Sequence, residues 1–213
     1  MTSTTTEGWT IHWARLYDLV TSLDGGRARA LQEDLLGRAT IRAGERVLDV
    51  GCGPGRLTLA AARAAGPTGE TLGIDAAPEM VALATRKAAR AGSSARFREG
   101  AIESLPVPDD HFDVALASMM IHHLTPELQR RGVAEVRRAL APGGRFLIVE
   151  TAATPGHGVG HLLAIFGLRR GNQHAEMLRA LLRDAGFEAI TVEPAAARGL
   201  VVLQARKPQV RRK

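Results

Sequence analysis

The sequence predicts an α/β fold in which a mostly parallel, seven-stranded sheet, the last strand antiparallel, carries helices on both faces. Three observations predict it. Strand-length apolar runs alternate with helix-length segments from about residue 46 onwards, the spacing expected of parallel strands joined by helical crossovers. The run Val47 to Val50 passes straight into Gly51-Cys52-Gly53-Pro54-Gly55 and then into a helical pattern. The last two strand-like runs are too close together for a helical crossover, so they pair as a hairpin.

Before the alternation begins, Trp9, Trp13 and Tyr17 fall at i, i+4 and i+8 of a helix over Trp9 to Ser22, and a second helix covers about Arg27 to Arg38. Strand one is Val47 to Val50, a segment buried on both faces, and its helix ends near Gly66. Strand two, Glu70 to Asp75, leads to a helix that Pro78 starts. Ala95 to Arg98 is strand three and Phe112 to Ser118 strand four, followed by a helix over Pro126 to Leu140. Strand five, Arg145 to Glu150, is entered through the Pro142-Gly143-Gly144 turn. A helix over Ala175 to Ala185, closed by Gly186, precedes the strands Glu188 to Glu193 and Gly199 to Ala205. The domain plan is an N-terminal helical cap over 1–40, a ligand-binding domain over 41–207 with an insertion at 151–174, and a basic tail over 208–213.

A chain of 213 residues suits one medium domain with a core of its own. Its single cysteine, Cys52, forms no internal disulfide, redox pair or thiolate cluster, which also argues against chemistry needing several thiols, such as arsenic methylation. Met1 to Gly8 lacks the basic and apolar regions of a signal peptide, so a cytoplasmic location is expected. Of the formal +6 charge, five positives come from Arg206, Lys207, Arg211, Arg212 and Lys213, leaving the body near +1. A basic end of this kind is not the stripe that tracks phosphates, so no nucleic acid is expected as partner.

The glycine turn separates two ligands. A dinucleotide fingerprint needs G-x-G-x-x-G, whereas the third glycine here comes one residue early, at Gly55. Asp49-x-Gly51-x-Gly53-x-Gly55 resembles motif I of the class I S-adenosylmethionine-dependent methyltransferases, which have a Rossmann-like fold and a cofactor without phosphate. Gly73-Ile74-Asp75, Leu105-Pro106-x-Pro108-Asp109 with Phe112-Asp113, and Leu140-Ala141-Pro142-Gly143-Gly144 are similar to later motifs of that family, in the family's order. Tyr17-Asp18 and Ile121-His122-His123-Leu124 resemble its ubiquinone and menaquinone biosynthesis group. The resemblance covers about Arg46 to Lys207 and implies methyl transfer from S-adenosylmethionine to a small-molecule acceptor, with a lipophilic one among the alternatives.

Asp75, at the tip of strand two beside the glycine turn, is placed to accept both hydroxyls of a ribose, although an acid there also suits a helix cap. Asp49 is expected to order the loop amides and offset an ammonium group, to which Gly51 offers its carbonyl. The resemblance adds Cys52, Gly53, Gly55, Ala76, Met80, Ala101, Ile102 and Ser118 to the cofactor site. One departure is visible: the family often has Asp after the glycine ending strand three, and here Ala101 follows Gly100. Adenine is left with the backbone near Ala101 and Ile102, with Glu103 as a side-chain partner.

Methyl transfer needs a base only when the acceptor must lose a proton. His122 and His123, after strand four, are the catalytic candidates, and as neighbours they are expected to face different ways. Met119 and the aromatic stripe of Trp9, Trp13 and Tyr17 are candidate acceptor contacts, the stripe having core packing as its other reading. The insertion over Thr151 to His174 combines glycines with the apolar run Val159 to Leu168. It is expected to cover the acceptor, with His157 and His161 lining it; packing or membrane contact are the alternatives. Gly158 and Gly160 between those histidines, and the missing Glu of H-E-x-x-H, argue against metal. Ala117-Ser118-Met119-Met120 stands where enzymes acting on nucleic-acid amines resemble Asn-Pro-Pro-Tyr. Two other classes stay open: a protein that holds the cofactor without turnover, and a nicotinamide-dependent oxidoreductase.

Overall fold

The computed structural model describes residues 25–152 and 172–209. Within them lies the expected seven-stranded sheet: β1 (Arg46–Val50), β2 (Glu70–Asp75), β3 (Arg96–Glu99), β4 (Phe112–Ser118), β5 (Leu140–Thr151), β6 (Glu188–Pro194) and β7 (Leu200–Arg206). Their order across the sheet is β3-β2-β1-β4-β5-β7-β6. All neighbours from β3 through to β5 run parallel, and β7 lies antiparallel between β5 and β6. The chain leaves β1 towards β2 and β3, then returns to build the other half from β4. That reversal opens a crevice at the carboxyl ends of β1 and β4, where open α/β sheets bind ligands.

Helices α1 (Gly25–Ala39), α2 (Arg56–Ala65), α3 (Pro78–Ala91), α4 (Pro126–Ala139) and α5 (Gln173–Asp184) cover the sheet. Successive strand side chains point to opposite faces, so each central strand serves two cores. On one face Phe146 and Ile148 of β5 meet Val133 and Val136 of α4 and Leu178 and Leu182 of α5. On the other, Val47, Leu147 and Val149 meet Leu35 of α1 and Ala61 and Ala65 of α2. Burying one Val, Leu, Ile or Phe contributes about 1.5–3 kcal/mol, which is what holds the central strands in place. Small alanines on α2 let that helix lie close to the sheet.

Local chemistry sets the ends. Thr125 caps α4 by accepting from the Leu128 amide at 3.4 Å, with Pro126 in its first turn. Gly92 ends α3 in the left-handed region at φ 58°. At the opposite edge from the crevice, Arg145 ties β5 to α1, donating to the Ala39 carbonyl at 2.6 Å and to Glu45 at 2.7 Å.

The strand and helix bounds follow the sequence expectation to within a residue or two except at β5. Leu140 already pairs with Phe112, and the register then jumps so that Arg145 faces Val114. The Pro142-Gly143-Gly144 turn is therefore a bulge inside the strand rather than its entrance, with Gly143 at φ 80°. The helix expected over residues 9–22, most of the 151–174 insertion and residues 210–213 of the tail lie outside the described residues. Among the described residues, no helix is long and apolar enough to cross a membrane.

Candidate functional site

The crevice is built by the turn between β1 and α2. Gly51, Gly53 and Gly55 all have positive φ, at 65°, 50° and 78°, a region that side chains with a Cβ rarely adopt. Two of the three are closed by sterics as well. A Cβ on Gly51 would come within 2.7 Å of Met120, and one on Gly55 within 2.7 Å of Phe97. A Cβ on Gly53 would meet nothing within 4 Å, so the space above it is open to a ligand.

Asp75, at the tip of β2, holds this turn. Its Oδ2 accepts from the Gly53 amide at 2.7 Å and its Oδ1 from the Ala77 amide at 2.9 Å. The carboxylate thus braces the glycine turn and the residue before α3 at once. Each oxygen keeps a second lone pair, which is what a ribose diol needs. Burial raises its pKa, opposed by the bonds from Ala77 and Gly53.

Asp49 differs from expectation. Among the described residues it makes no bond to the loop amides; it accepts from the Thr58 hydroxyl at 2.6 Å and also bonds the Thr58 backbone. The reason is local: Gly55 precedes α2 and has no side chain to cap it, so the buried carboxylate reaches across from β1 to serve the helix start. Burial pushes Asp49 up to about 7; Thr58 opposes that rise and the nearby Asp75 adds to it. Near neutral pH it is a carboxyl group ready to ionise beside a cation.

A cleft of about 310 Å³ opens beside this turn, lined by Asp49, Gly51, Cys52, Gly53, Ser118 and Met119 among the expected residues, a volume within the range of small-molecule sites. Helix α1 contributes Leu31, Gln32 and Leu35, and the start of α2 adds Arg56 and Leu57; none of these was expected from the sequence. Gly55 lies behind the cleft against Phe97. Asp75 and Ala76 are half-buried, while Met80, Ala101 and Ile102 are buried. The Cys52 thiol is pushed up by burial and then by Asp49 and Asp75, which makes it a packing group. Trp9, Trp13, Tyr17, His157 and His161 lie outside the described residues.

Two features suit an adenosyl ligand in particular. The free space over Gly53 sits next to the carboxylate that can take a diol. After β3, Glu103 Oε2 is buried with no hydrogen-bond partner among the described residues, an orphaned acceptor that an adenine amine would satisfy.

After β4 the chain turns sharply. Met119 adopts φ 55°, which brings Met120 over Gly51 and starts a one-turn 3-10 helix, Ile121–His123. His122 and His123 were expected to face apart, yet their rings lie 4.1 Å apart, tilted by 43°. His122 Nδ1 meets Glu150 Oε2 at 2.6 Å, with both side chains no more than 1% exposed. Glu150 was missed in the sequence, although an acid directly after Phe146-Leu147-Ile148-Val149 was a signal that could have found it. Among the described residues, no group of three His, Cys, Asp or Glu side chains is arranged to hold a metal ion.

Comparison with known proteins agrees with this geometry. Residues 47–144 match the family described as a methyltransferase domain. The chain is 36% identical over 160 residues to the arsenite methyltransferase of Halobacterium salinarum, covering 73% of this chain and 40% of that protein. It is 35% identical over 135 residues to the ubiquinone/menaquinone biosynthesis C-methyltransferase UbiE of Burkholderia mallei, covering 63% and 55%. The chain thus spans about half the length of these relatives. Among solved structures, the [4+2]-cyclase SpnF superposes with a TM-score of 0.72 at 25% identity, over 92% of this chain and 95% of the other.

Proposed function

The chain belongs to the class I S-adenosylmethionine-dependent methyltransferases, and from that premise we propose that it transfers a methyl group from S-adenosylmethionine to a small organic acceptor. The observation that carries this reading is the Asp75 carboxylate bonded to the Gly53 amide at 2.7 Å, beneath open space at the sheet's point of reversal. When bound, the cofactor supplies an electrophilic methyl group on a sulfonium. Displacement at such a centre removes positive charge, so the protein's work is alignment and exclusion of water.

Each part of the site has a share in that work. Asp75 takes the ribose hydroxyls, and Glu103 with the backbone at Ala101 and Ile102 takes adenine. Asp49 and the Gly51 carbonyl face the ammonium of the methionine portion, and Ser118 and Met119 bound the cleft on the β4 side. Where the acceptor must lose a proton, His122 receives it, with His123 packed against its ring. The single cysteine, buried and with its thiol pushed up, argues against arsenite as the acceptor.

Thermal unfolding with added ligand tests the reading. S-adenosylhomocysteine at 100 times its dissociation constant should stabilise the protein by about 2.7 kcal/mol, and NAD should leave it unmoved; the reverse pattern overturns the reading. Incubation with methyl-labelled S-adenosylmethionine and a panel of phenols, amines, quinols and thiols then identifies the acceptor. A second reading, cofactor binding without methyl transfer, draws on the cyclase neighbour and on Ala101 in place of Asp. It predicts the same stabilisation with no label transferred to any of the panel.

A further inference from the structure

The end of β5 carries a buried carboxylate whose contacts exceed what bracing the fold requires. Glu150 Oε1 accepts from the Ile121 amide at 2.8 Å and the His122 amide at 3.3 Å. Its Oε2 meets His122 Nδ1 at 2.6 Å and accepts from the Thr151 amide at 3.3 Å. From the first turn of α5, His174 brings its Nε2 to 3.8 Å of the same oxygen. Glu150 is 0% exposed and His174 3%. Burial alone would drive the Glu150 pKa up, but His122 and His174 beside it hold it well below the usual carboxylate range.

A neutral glutamine would serve the two Oε1 bonds equally well. Burying a charge is expensive unless its partners demand it, and the partner that demands a carboxylate here is the imidazole. An ionised Oε2 at 2.6 Å requires a proton on Nδ1, which in a neutral ring leaves Nε2 as the basic nitrogen. With its side chain 1% exposed, His122 is shut off from bulk water, so a proton reaching Nε2 comes from a group lodged beside it. The residue stands three positions after Met119, which lines the cleft with Ser118.

We propose that Glu150 is the positioning residue of the reaction: it locks His122 as the Nδ1–H tautomer, leaving Nε2 as the basic nitrogen, while His174 closes the far side of the carboxylate. This rests on the methyl-transfer reading above. It ties the turn after β4 to the start of α5, so the two segments flanking the acceptor side share one buried charge. It also separates the two adjacent histidines, His122 being the oriented base and His123 its stacking neighbour.

Glu150→Gln is the discriminating substitution. Its carbonyl would keep the Ile121 and His122 amides, and its NH2 would then face Nδ1, forcing the proton to Nε2. In the full chain with 15N-labelled histidine, at a pH where imidazole is neutral, long-range 15N–1H correlation should show His122 as Nδ1–H in the wild type and Nε2–H in E150Q. With the acceptor found by the panel, E150Q should lose about 100-fold or more in kcat, with S-adenosylhomocysteine affinity unchanged. An Nε2–H tautomer in the wild type overturns the proposal, and so does a tautomer that reverses while kcat stays the same. If E150Q does not fold, the wild-type spectrum decides by itself. Failure of the wild type to bind S-adenosylhomocysteine overturns the methyl-transfer reading instead, a result distinguishable from either of these.

Discussion

Replacing Asp49 by Asn should make the ligand-free protein more stable near pH 8 and leave it little changed near pH 4. Asp49 is wholly buried, and burial lifts its pKa from 3.8 to about 7. A carboxyl group whose pKa is higher folded than unfolded favours the folded state while protonated. That contribution is full below the unfolded value and is lost as pH rises from about 4 through 7. The gap corresponds to about 4 kcal/mol. Asparagine does not ionise and keeps one of the two bonds to Thr58, so losing the other, worth about 1 kcal/mol, leaves a net gain near 3 kcal/mol at pH 8. Denaturant midpoints of both proteins across pH 4–8 measure this directly. Parallel curves would refute the argument, because they would mean that Asp49 ionises as easily in the fold as out of it. The same group reports on the ligand. At pH 7 Asp49 is about half protonated, so if it faces the ammonium of S-adenosylhomocysteine, binding should release about half a proton. Calorimetry in two buffers of different ionisation enthalpy would show it, and a heat independent of buffer would remove Asp49 from the ammonium site.

Two further substitutions probe the turn. Asp75→Ala should weaken S-adenosylhomocysteine binding by about 1.5–3 kcal/mol, the range for hydrogen bonds to a charged group; unchanged affinity by calorimetry would leave Asp75 with only its bonds to Gly53 and Ala77. Gly51→Ala sets a Cβ 2.7 Å from Met120 at a φ of 65°, so it should cost about 1–3 kcal/mol of stability through overpacking and move the Met119-Met120 turn. Adding Met120→Ala should recover the part of that loss due to the clash but not the part due to backbone conformation; full recovery or none would refute the division.

What the sequence determined by itself is local. The glycine turn, the proline starts of α3 and α4 and the alternation that builds a parallel sheet all depend on residues within a few positions of one another, so their chemistry is readable without the fold. Asp75 was legible for the same reason: strand two ends there and the sheet's reversal brings its tip beside the turn. Tertiary structure decided the rest. Asp49 caps α2 because Gly55 offers no cap, a substitution of partners visible only once β1 and α2 are packed. Glu150 meets Ile121 and His122, some 28 residues earlier, and His174, 24 residues later; no periodicity specifies which turn will cover the end of a strand. The bulge in β5 arises because β4 fixes the register on both sides of Pro142-Gly143-Gly144. A buried charge acquires its role from the groups that surround it, and those groups are assembled only when the distant segments bury their apolar faces against one sheet.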